Sequence, residues 1–295
     1  MRIAHVTDIH VQRAPKLSEL FGKRALGAAN LYLAGRRSHF TAAAQSALVD
    51  AVLAQKPDLL ACTGDLTALA SEAEFLAARE LLGPMFEAQP SVLIPGNHDT
   101  YVAQVQAERW IERHFGEWTG SGPWPRLHLH GDLAFIGVDV CRHRPILSTG
   151  EVDPEQLERL DQLLASPQLD GRFVFLMVHY PLRGRRGEPY GPDTRNIKNA
   201  AALEAVLLRH AHRVGAILHG HEHHGFRTAL PNPEGPDIDI LNPGAGGYAF
   251  LPDKGRTAHF CVYEVQDGAL TGVERFAFDG QAFEPEAGGA WATGG

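Results

Sequence analysis

The sequence contains five short clusters of Asp, His and Asn, and each directly follows or closes a segment with the pattern of a β-strand. The clusters are Asp8-Ile9-His10, Gly64-Asp65, Gly96-Asn97-His98-Asp99, His179 and Gly220-His221-Glu222-His223. In an open α/β sheet the carboxyl ends of the strands form one edge, and ligands bind at that edge. Polar clusters at five strand ends can therefore meet in space although they lie far apart in the chain.

Short apolar, β-rich segments alternate with longer helical segments, which is the pattern of an α/β protein. The predicted strands are Arg2–Thr7, Leu59–Thr63, Val92–Ile94, Leu133–Val138, Phe173–His179, Gly215–Leu218, Ile238–Leu241, Phe260–Val265 and Leu270–Phe278. The predicted helices are Phe40–Gln55, Glu72–Met85, Val102–Phe115, Pro154–Ala165 and Ile197–His212. No linker interrupts the pattern, so residues 1–278 are predicted to form one domain and the Gly- and Ala-rich residues 279–295 a C-terminal tail.

The composition is that of a globular protein, since 44% of the 295 residues are hydrophobic and 21% are charged. No apolar segment reaches the length of a transmembrane span. The first residues lead directly into a strand without the layout of a signal peptide, and Cys62, Cys141 and Cys261 form no Cys-x-x-Cys pair. A cytoplasmic protein with reduced thiols is therefore expected. The net charge of −8 disfavours a nucleic-acid duplex as partner, and no feature indicates an oligomeric state.

The side chains of the five clusters are typical metal ligands. Carboxylate and imidazole groups together suit Zn, Mn and Fe. In Asp8-x-His10 and His221-x-His223, a spacing of two residues puts both side chains on one side of an extended segment. Glycines at positions 64, 96 and 220 allow the chain to turn sharply as it leaves the sheet. The sequence therefore predicts a metal site at the strand ends.

The complete series resembles the calcineurin-like metallophosphoesterase superfamily. Its motif runs Asp-x-His, Gly-Asp, Gly-Asn-His-Asp/Glu, a lone His and Gly-His-x-His, and all five blocks occur in this order between residues 8 and 223. The segment Asn242-Pro243-Gly244-Ala245 is similar to the usual ending of the family. The resemblance implies a four-layer αββα sandwich of two mixed β-sheets flanked by helices. It also implies hydrolysis at phosphorus by a hydroxide that bridges two metal ions.

The resemblance further implies a role for each residue of the motif. One metal ion would be bound by Asp8, His10 and His223, and the second by Asn97, His179 and His221. Asp65 would bridge the two ions. The ions are expected to be Mn, Fe or Zn, and one of them can be Fe3+. His98 would stabilise the transferring phosphoryl group and protonate the leaving oxygen, and Asp99 would orient His98 or support the loop. A site with two such cations attracts a small anionic phosphate substrate.

Three arginines, Arg183, Arg185 and Arg186, follow His179 closely. They are predicted to bind the substrate phosphate, because a guanidinium group matches phosphate through two parallel hydrogen bonds. The alternative is that they belong to a solvated loop and contact no substrate. Their short distance in sequence from a predicted ligand keeps both interpretations open.

Residues 17–40 form an insertion with apolar residues at roughly helical spacing and Lys23, Arg24, Arg36 and Arg37 among them. This insertion is predicted to cap the site and to pack on the domain. The alternative is an apolar, basic surface that contacts a lipid substrate or a membrane.

Among the subfamilies, the chain looks most like the bacterial class III cyclic-nucleotide phosphodiesterases, in its length, its compactness and the expected lack of a signal. The sequence therefore predicts a phosphodiesterase for a cyclic nucleotide or another small phosphodiester. The alternative is a pyrophosphohydrolase of a nucleotide-linked lipid such as UDP-diacylglucosamine, which the insertion favours. A catalytically inactive scaffold is a hypothesis of a different class, although every predicted ligand type is present. The acidic balance disfavours a DNA nuclease, and no feature favours a protein phosphatase.

Overall fold

The computed structural model describes residues 1–286, which contain two six-stranded mixed β-sheets. The strands are β1 (Arg2–Val6), β2 (Leu59–Cys62), β3 (Ser91–Leu93), β4 (Arg126–His130), β5 (Leu133–Val138), β6 (Phe173–Val178), β7 (Val214–Leu218), β8 (Phe226–Leu230), β9 (Ile238–Asn242), β10 (His259–Gln266), β11 (Ala269–Phe278) and β12 (Phe283–Pro285). The first sheet has the order β12-β11-β10-β1-β2-β3, and the second β4-β5-β6-β7-β9-β8. Strands β1, β2 and β3 are parallel, as are β5, β6, β7 and β9.

Helices cover the outer face of each sheet. Those within residues 1–286 are α1 (Gly22–Tyr32), α2 (Ala42–Gln55), α3 (Glu72–Glu87), α4 (Ala103–Ala107), α5 (Trp110–Thr119), α6 (Pro154–Leu164) and α7 (Ala200–Arg209). Apolar side chains of α2, α3 and α5 share a core with the first sheet, and those of α6 and α7 share a core with the second.

Alternate side chains of a strand belong to different cores. In β6, Phe175 lies in the core between the two sheets, together with Ile3 and Tyr263 of the first sheet. Its neighbour Leu176 points to the other side and packs with Leu160 of α6. This alternation follows from the two-residue period of a strand. The four-layer order of helices, sheet, sheet and helices confirms the predicted fold class.

The predicted strands are confirmed with shifts of at most one residue at each end, whereas β4, β8 and β12 were not predicted. All three lie at a sheet edge, where a strand carries a weaker apolar pattern because it is less buried. The prediction of one helix over Val102–Phe115 is wrong. The chain divides it into α4 and α5 at Arg109, which has a φ of 52° and cannot continue a right-handed helix.

The insertion of residues 17–40 contains α1, which packs on the loops that follow β2 and β3. The buried Arg24 donates hydrogen bonds to the carbonyl oxygens of Leu69 (3.1 Å) and Ala70 (2.7 Å). Gly27 is needed at its position, because a Cβ there would lie 2.5 Å from the hydroxyl of Tyr101. The insertion is therefore attached to the domain next to the predicted site.

The sheet continues beyond the predicted domain boundary at residue 278. Strand β12 pairs with β11 through Phe278 and Phe283, so part of the predicted tail adds to the first sheet. Residues 287–295 lie outside the described residues, and the boundary stays a prediction. Cys62, Cys141 and Cys261 are buried and unpaired, as expected, while the cytoplasmic location stays a prediction. Among residues 1–286, no helix combines the length and apolar character needed to cross a membrane.

Candidate metal centre

The loops after β1 and β2 run side by side at the carboxyl edge of the first sheet. The backbone N–H of Asp8 donates to the Gly64 carbonyl at 2.9 Å, and that of Ile9 donates to the Asp65 carbonyl at 2.9 Å. The loop after β3 approaches so closely that a Cβ on Gly96 would lie 2.1 Å from Asp65 Oδ1. Glycine at position 96 therefore permits the loop after β3 to lie against Asp65. The backbone hydrogen bonds between the other two loops bring the predicted ligands Asp8 and Asp65 together.

Four of the predicted ligands have a left-handed backbone. Their φ values are 52° for Asp8, 52° for His10, 57° for Asp65 and 67° for His221. Residues other than glycine adopt positive φ rarely, because the Cβ is crowded there. Such strain is concentrated at functional sites, where the fold holds side chains in an orientation that relaxed backbone would not give.

The first group of donor atoms surrounds Asp8. Its Oδ1 lies 3.7 Å from His10 Nε2 and 3.5 Å from His223 Nε2, and the two nitrogens are 3.3 Å apart. Asp8 Oδ2 is oriented by Thr7 Oγ1, which donates at 2.8 Å, and by the backbone N–H of His221 at 2.9 Å. The structure therefore brings together the three residues predicted to bind one metal ion.

The second group of donor atoms surrounds Asn97. Its Oδ1 lies 2.8 Å from His221 Nδ1 and 3.0 Å from His179 Nε2. Asp65 Oδ2 connects the two groups, because it lies 3.4 Å from His179 Nε2 and 3.6 Å from His10 Nε2. All seven predicted metal ligands are thus adjacent, and Asp65 is in the position of a bridging carboxylate.

The hydrogen bonds of the histidines show which nitrogen is available to a cation. Nδ1 of His10 lies 3.2 Å from the Thr67 carbonyl oxygen, and Nδ1 of His179 lies 2.7 Å from the Thr63 carbonyl oxygen. A carbonyl only accepts, so Nδ1 carries the hydrogen, and Nε2 of a neutral ring directs its lone pair towards the carboxylates. This is the arrangement in which imidazole binds a metal.

The electrostatics of the centre call for positive charge. Burial raises the pKa of the Asp8 carboxyl, but the neighbouring His10 and His223 rings outweigh burial and hold the pKa well below its ordinary value. Burial also raises the pKa of Asp65, yet the neighbouring histidines bring it below its ordinary value. Burial lowers the pKa of His179, and Asp65 outweighs this and raises it to about 9. Asp8 Oδ1 is buried with no hydrogen-bond partner within residues 1–286. Because a buried carboxylate oxygen without a hydrogen-bond donor is costly, the donor set fits divalent cations.

His98 and Asp99 lie beside these donors. Nδ1 of His98 is 2.5 Å from the Ala68 carbonyl oxygen, and burial lowers the pKa of the ring to about 4. A ring nitrogen of His98 lies within 4.8 Å of donor atoms of His10 and Asp65. The Asp99 carboxylate accepts hydrogen bonds from the backbone of Leu66, Thr67 and Gly96. Of its two predicted roles, these bonds favour support of the loop.

The predicted substrate-binding arginines are placed in different surroundings. Arg183 forms an ion pair with Glu204 of α7 at 2.5 Å, and both side chains are largely buried. Arg185 lies 5.8 Å from the ring centroid of Phe226 and contacts the His224 carbonyl oxygen. The backbone N–H of Arg186 donates a hydrogen bond to the Glu188 carboxylate. The Arg183 guanidinium is thus already paired with a carboxylate of the protein. The substrate-binding role of the three arginines stays a prediction.

A cavity of about 120 Å³ opens next to the donor atoms. One side is formed by His10, His98 and His223, and the opposite side by residues of the insertion. The cap-like insertion therefore contributes to the wall of the site.

Tyr248 and Thr7 contact the predicted ligands and were not predicted. The Tyr248 hydroxyl lies 2.9 Å from His223 Nδ1, and Thr7 Oγ1 holds Asp8. Thr7 precedes a motif residue, but nothing in its spacing marks it as a contact. Tyr248 follows the segment Asn242-Pro243-Gly244-Ala245, and no pattern in the sequence indicates that it returns to the ligands.

Comparisons with known proteins agree with the fold. A family model described as calcineurin-like phosphoesterase matches residues 1–225. Curated protein sequences give no significant match. A dimetal phosphatase from Danio rerio has a TM-score of 0.60 at 14% identity, and the match covers 99% of each chain.

Two other solved structures have similar scores. Purple acid phosphatase PPD1 from yellow lupin (Lupinus luteus) has a TM-score of 0.55 at 13% identity, with 96% of this chain and 52% of that chain covered. The present chain thus spans about half the length of the lupin protein. GAP50, the anchor in the inner membrane complex of Plasmodium, has a TM-score of 0.53 at 11% identity, with coverage of 99% and 90%. Identities this low establish similarity of fold alone.

Proposed function

Because the chain belongs to the calcineurin-like phosphoesterase family, a family of dimetal-dependent hydrolases acting on phosphoester bonds, we propose that it hydrolyses a small phosphodiester such as a cyclic nucleotide. The observation that carries the proposal is the position of Asp65 Oδ2, within 3.6 Å of both His10 Nε2 and His179 Nε2. Two divalent cations held there would stabilise charge on the phosphoryl oxygens and supply an activated water.

The residues of the chain have distinct proposed roles in this reaction. One cation would be held by Asp8, His10 and His223 and the other by Asn97, His179 and His221, with Asp65 shared. His98 faces the cavity and would contact the phosphoryl group. Thr7, Tyr248 and the carbonyl groups of Thr63 and Thr67 orient the ligands through the hydrogen bonds described above, which reduces the reorganisation needed when the cations bind.

A substrate panel tests the proposal. Purified protein with added Mn2+ is assayed against phosphomonoesters, cyclic and linear phosphodiesters, and nucleotide pyrophosphates. We expect kcat/KM to be highest for a phosphodiester, with cyclic nucleotides as the leading class. An Asp8→Asn variant purified in the same way controls for contaminating phosphatases. Activity confined to phosphomonoesters would contradict the phosphodiesterase assignment.

A nucleotide-linked lipid is the second candidate substrate, and exposed apolar side chains favour it. The exposed fractions are 87% for Leu17, 72% for Phe21, 86% for Leu33 and 87% for Ile146. Lys23 Nζ donates to the Leu147 carbonyl at 3.4 Å, so the loop with Ile146 lies next to the insertion. Residues 17–40 contain four Lys or Arg and one Glu in a chain of net charge −8. Protruding apolar groups among positive charges suit the surface of an anionic membrane.

Vesicle binding tests this second candidate. Vesicles with phosphatidylglycerol should bind the protein better than vesicles of phosphatidylcholine alone. The combined Phe21→Ser, Leu33→Ser and Ile146→Ser variant should bind roughly 100-fold more weakly, because each side chain that inserts partly into the membrane contributes about 1 kcal/mol. Leu76→Ser and Leu129→Ser, at exposed apolar positions outside the insertion, serve as controls. Equal binding of the wild type and the triple variant would contradict the proposed surface.

A further inference from the structure

Positive charges are gathered on one side of the cavity, next to Tyr248. Arg36 and His39 line the cavity itself. The guanidinium carbon of Arg256 lies 5.1 Å from the centroid of the Tyr248 ring. We call Arg36, His39 and Arg256 the basic rim. Since the Tyr248 hydroxyl lies 2.9 Å from His223 Nδ1, the basic rim begins immediately beside the predicted metal ligands.

Two backbone segments fix the basic rim. The Ala249 N–H donates to the His39 carbonyl at 2.9 Å, which joins the end of the insertion to the segment after Tyr248. The N–H groups of Leu251 and Arg256 donate to each other's carbonyl oxygens, at 2.8 Å and 3.1 Å. Because these bonds hold both segments, the backbone that carries the basic side chains is positioned before any substrate arrives.

The two arginines carry the positive charge of the basic rim. Nε and Nη1 of Arg256 are buried and have no hydrogen-bond partner within residues 1–286. Arg36 is exposed on the wall of the cavity. Burial lowers the pKa of His39, and the charges of Arg256, Arg36 and Lys254 lower it further. Buried donors without partners are costly, so an anionic ligand would be stabilised here.

We propose that the basic rim binds a second phosphate group of the substrate, distinct from the phosphate that is cleaved. This inference rests on the proposed function and narrows its substrate class. Arginine is suited to the task because its planar guanidinium group binds phosphate through paired hydrogen bonds. A substrate with a second phosphate would bind better than a simple cyclic mononucleotide, whose single phosphate is occupied at the metal ions.

Two substrates that differ only in the second phosphate give the test. Thymidine 5′-(4-nitrophenyl phosphate) and its 3′-phosphorylated derivative have the same scissile bond and the same leaving group. We expect the wild type to prefer the 3′-phosphorylated substrate by about 10- to 100-fold in kcat/KM, mainly through KM, as charge-assisted hydrogen bonds would give. Arg36→Ala and Arg256→Ala should remove this preference, because KM for the 3′-phosphorylated substrate rises to that for the simpler substrate.

The matched control is Arg37→Ala. Arg37 is adjacent to Arg36, lies over the ring of Tyr32 at 5.6 Å and does not line the cavity, so the preference should persist. Equal kcat/KM for the two substrates in the wild type would overturn the inference, as would a preference that survives in both rim variants. Arg36 is exposed, so its replacement does not endanger folding.

Calorimetry separates this inference from the proposed function. If neither substrate is hydrolysed, the proposed function fails, and binding to metal-loaded protein still tests the basic rim. Thymidine 3′,5′-bisphosphate should then bind at least 10-fold more tightly than thymidine 5′-phosphate to the wild type, and equally in Arg36→Ala. No difference between the two nucleotides in the wild type would reject the second phosphate site.

Discussion

Asp65→Asn is expected to weaken metal binding at both positions and to abolish phosphoester hydrolysis. Asp65 Oδ2 lies within 3.6 Å of a predicted ligand from each donor group, so one substitution affects both groups. The amide has nearly the shape of the carboxylate but lacks its charge, and loses much of the attraction to a divalent cation. Outer residues of metal sites typically change affinity by roughly 10–100-fold, and a direct ligand should exceed that.

Metal analysis of the purified protein measures this effect. The wild type should contain two ions per chain, Asp65→Asn fewer than two, and calorimetric titration should show a loss of affinity in both binding steps. Asp161→Asn is the matched control, because Asp161 of α6 pairs with His210, which directly follows α7, outside the donor set. Two ions bound with wild-type affinity in Asp65→Asn would rule out the bridging role.

Chelation provides the complementary evidence. Removal of metal should abolish hydrolysis, and addition of Mn2+, Fe2+ or Zn2+ in turn should restore it and show which ion supports the highest rate. Metal-free protein should also unfold at a lower temperature, because the buried Asp8 and Asp65 carboxylates would face each other without the cations. Full activity in chelator would contradict the metal mechanism.

The candidate site could be predicted because its information is local. Each of Asp8, Asp65, Asn97, His179 and His221 lies within a few residues of a strand end. Parallel strands bring the ends within each sheet together, and the packing of the two sheets brings the two sets of ends together. Recognising the strands and the motif was therefore enough to predict that the ligand residues lie close together. The geometry of the donor atoms, such as the shared position of Asp65 Oδ2, depends on the packing of the loops and became visible only in the structure.

The contacts that could not be predicted join segments with no common pattern. Arg183 pairs with Glu204 of α7, and Tyr248 contacts His223, although neither pair has a characteristic spacing. The basic rim is of the same kind, since Arg36 and Arg256 are far apart in sequence and both lie near Tyr248, where the insertion is hydrogen-bonded to the segment after that residue. Tertiary packing determines such contacts, and local sequence propensity does not indicate them.

The fold by itself does not decide between an enzyme and a scaffold. GAP50, described as an anchor, has a similar fold at 11% identity. The distinguishing features are the converging donor atoms and the strained backbone at Asp8, His10, Asp65 and His221. A protein that served only as a scaffold would have no reason to retain this strain, which costs of order 1–3 kcal/mol at each residue. These features favour catalysis over a scaffold role.

His98→Ala is expected to keep both metal ions and to lose roughly 10²–10⁴-fold in kcat, the usual contribution of a positioned proton donor. The ring lies on the cavity wall, is stacked on Tyr101 at 5.4 Å, and is anchored through Nδ1 to the Ala68 carbonyl. It is thus held beside the substrate by contacts that do not involve the metal ions. Metal content and kcat, measured on the same preparation, separate a role towards substrate from a role as ligand.

The choice of leaving group decides how His98 acts. A general acid matters most for an alkyl leaving group, which must be protonated, and least for 4-nitrophenolate, which leaves as a stable anion. If His98 is the acid, His98→Ala should lose much more activity on alkyl esters than on 4-nitrophenyl esters. An equal loss on both would show that the imidazole stabilises charge on the phosphoryl oxygens.

Because burial lowers the pKa of His98 to about 4, the ring is neutral near pH 7 until the anionic substrate binds. Proton donation therefore requires that substrate binding raises this pKa. Loss of a metal ion in this variant would instead identify His98 as a ligand. This outcome must be tested because His98 lies close to His10 and Asp65.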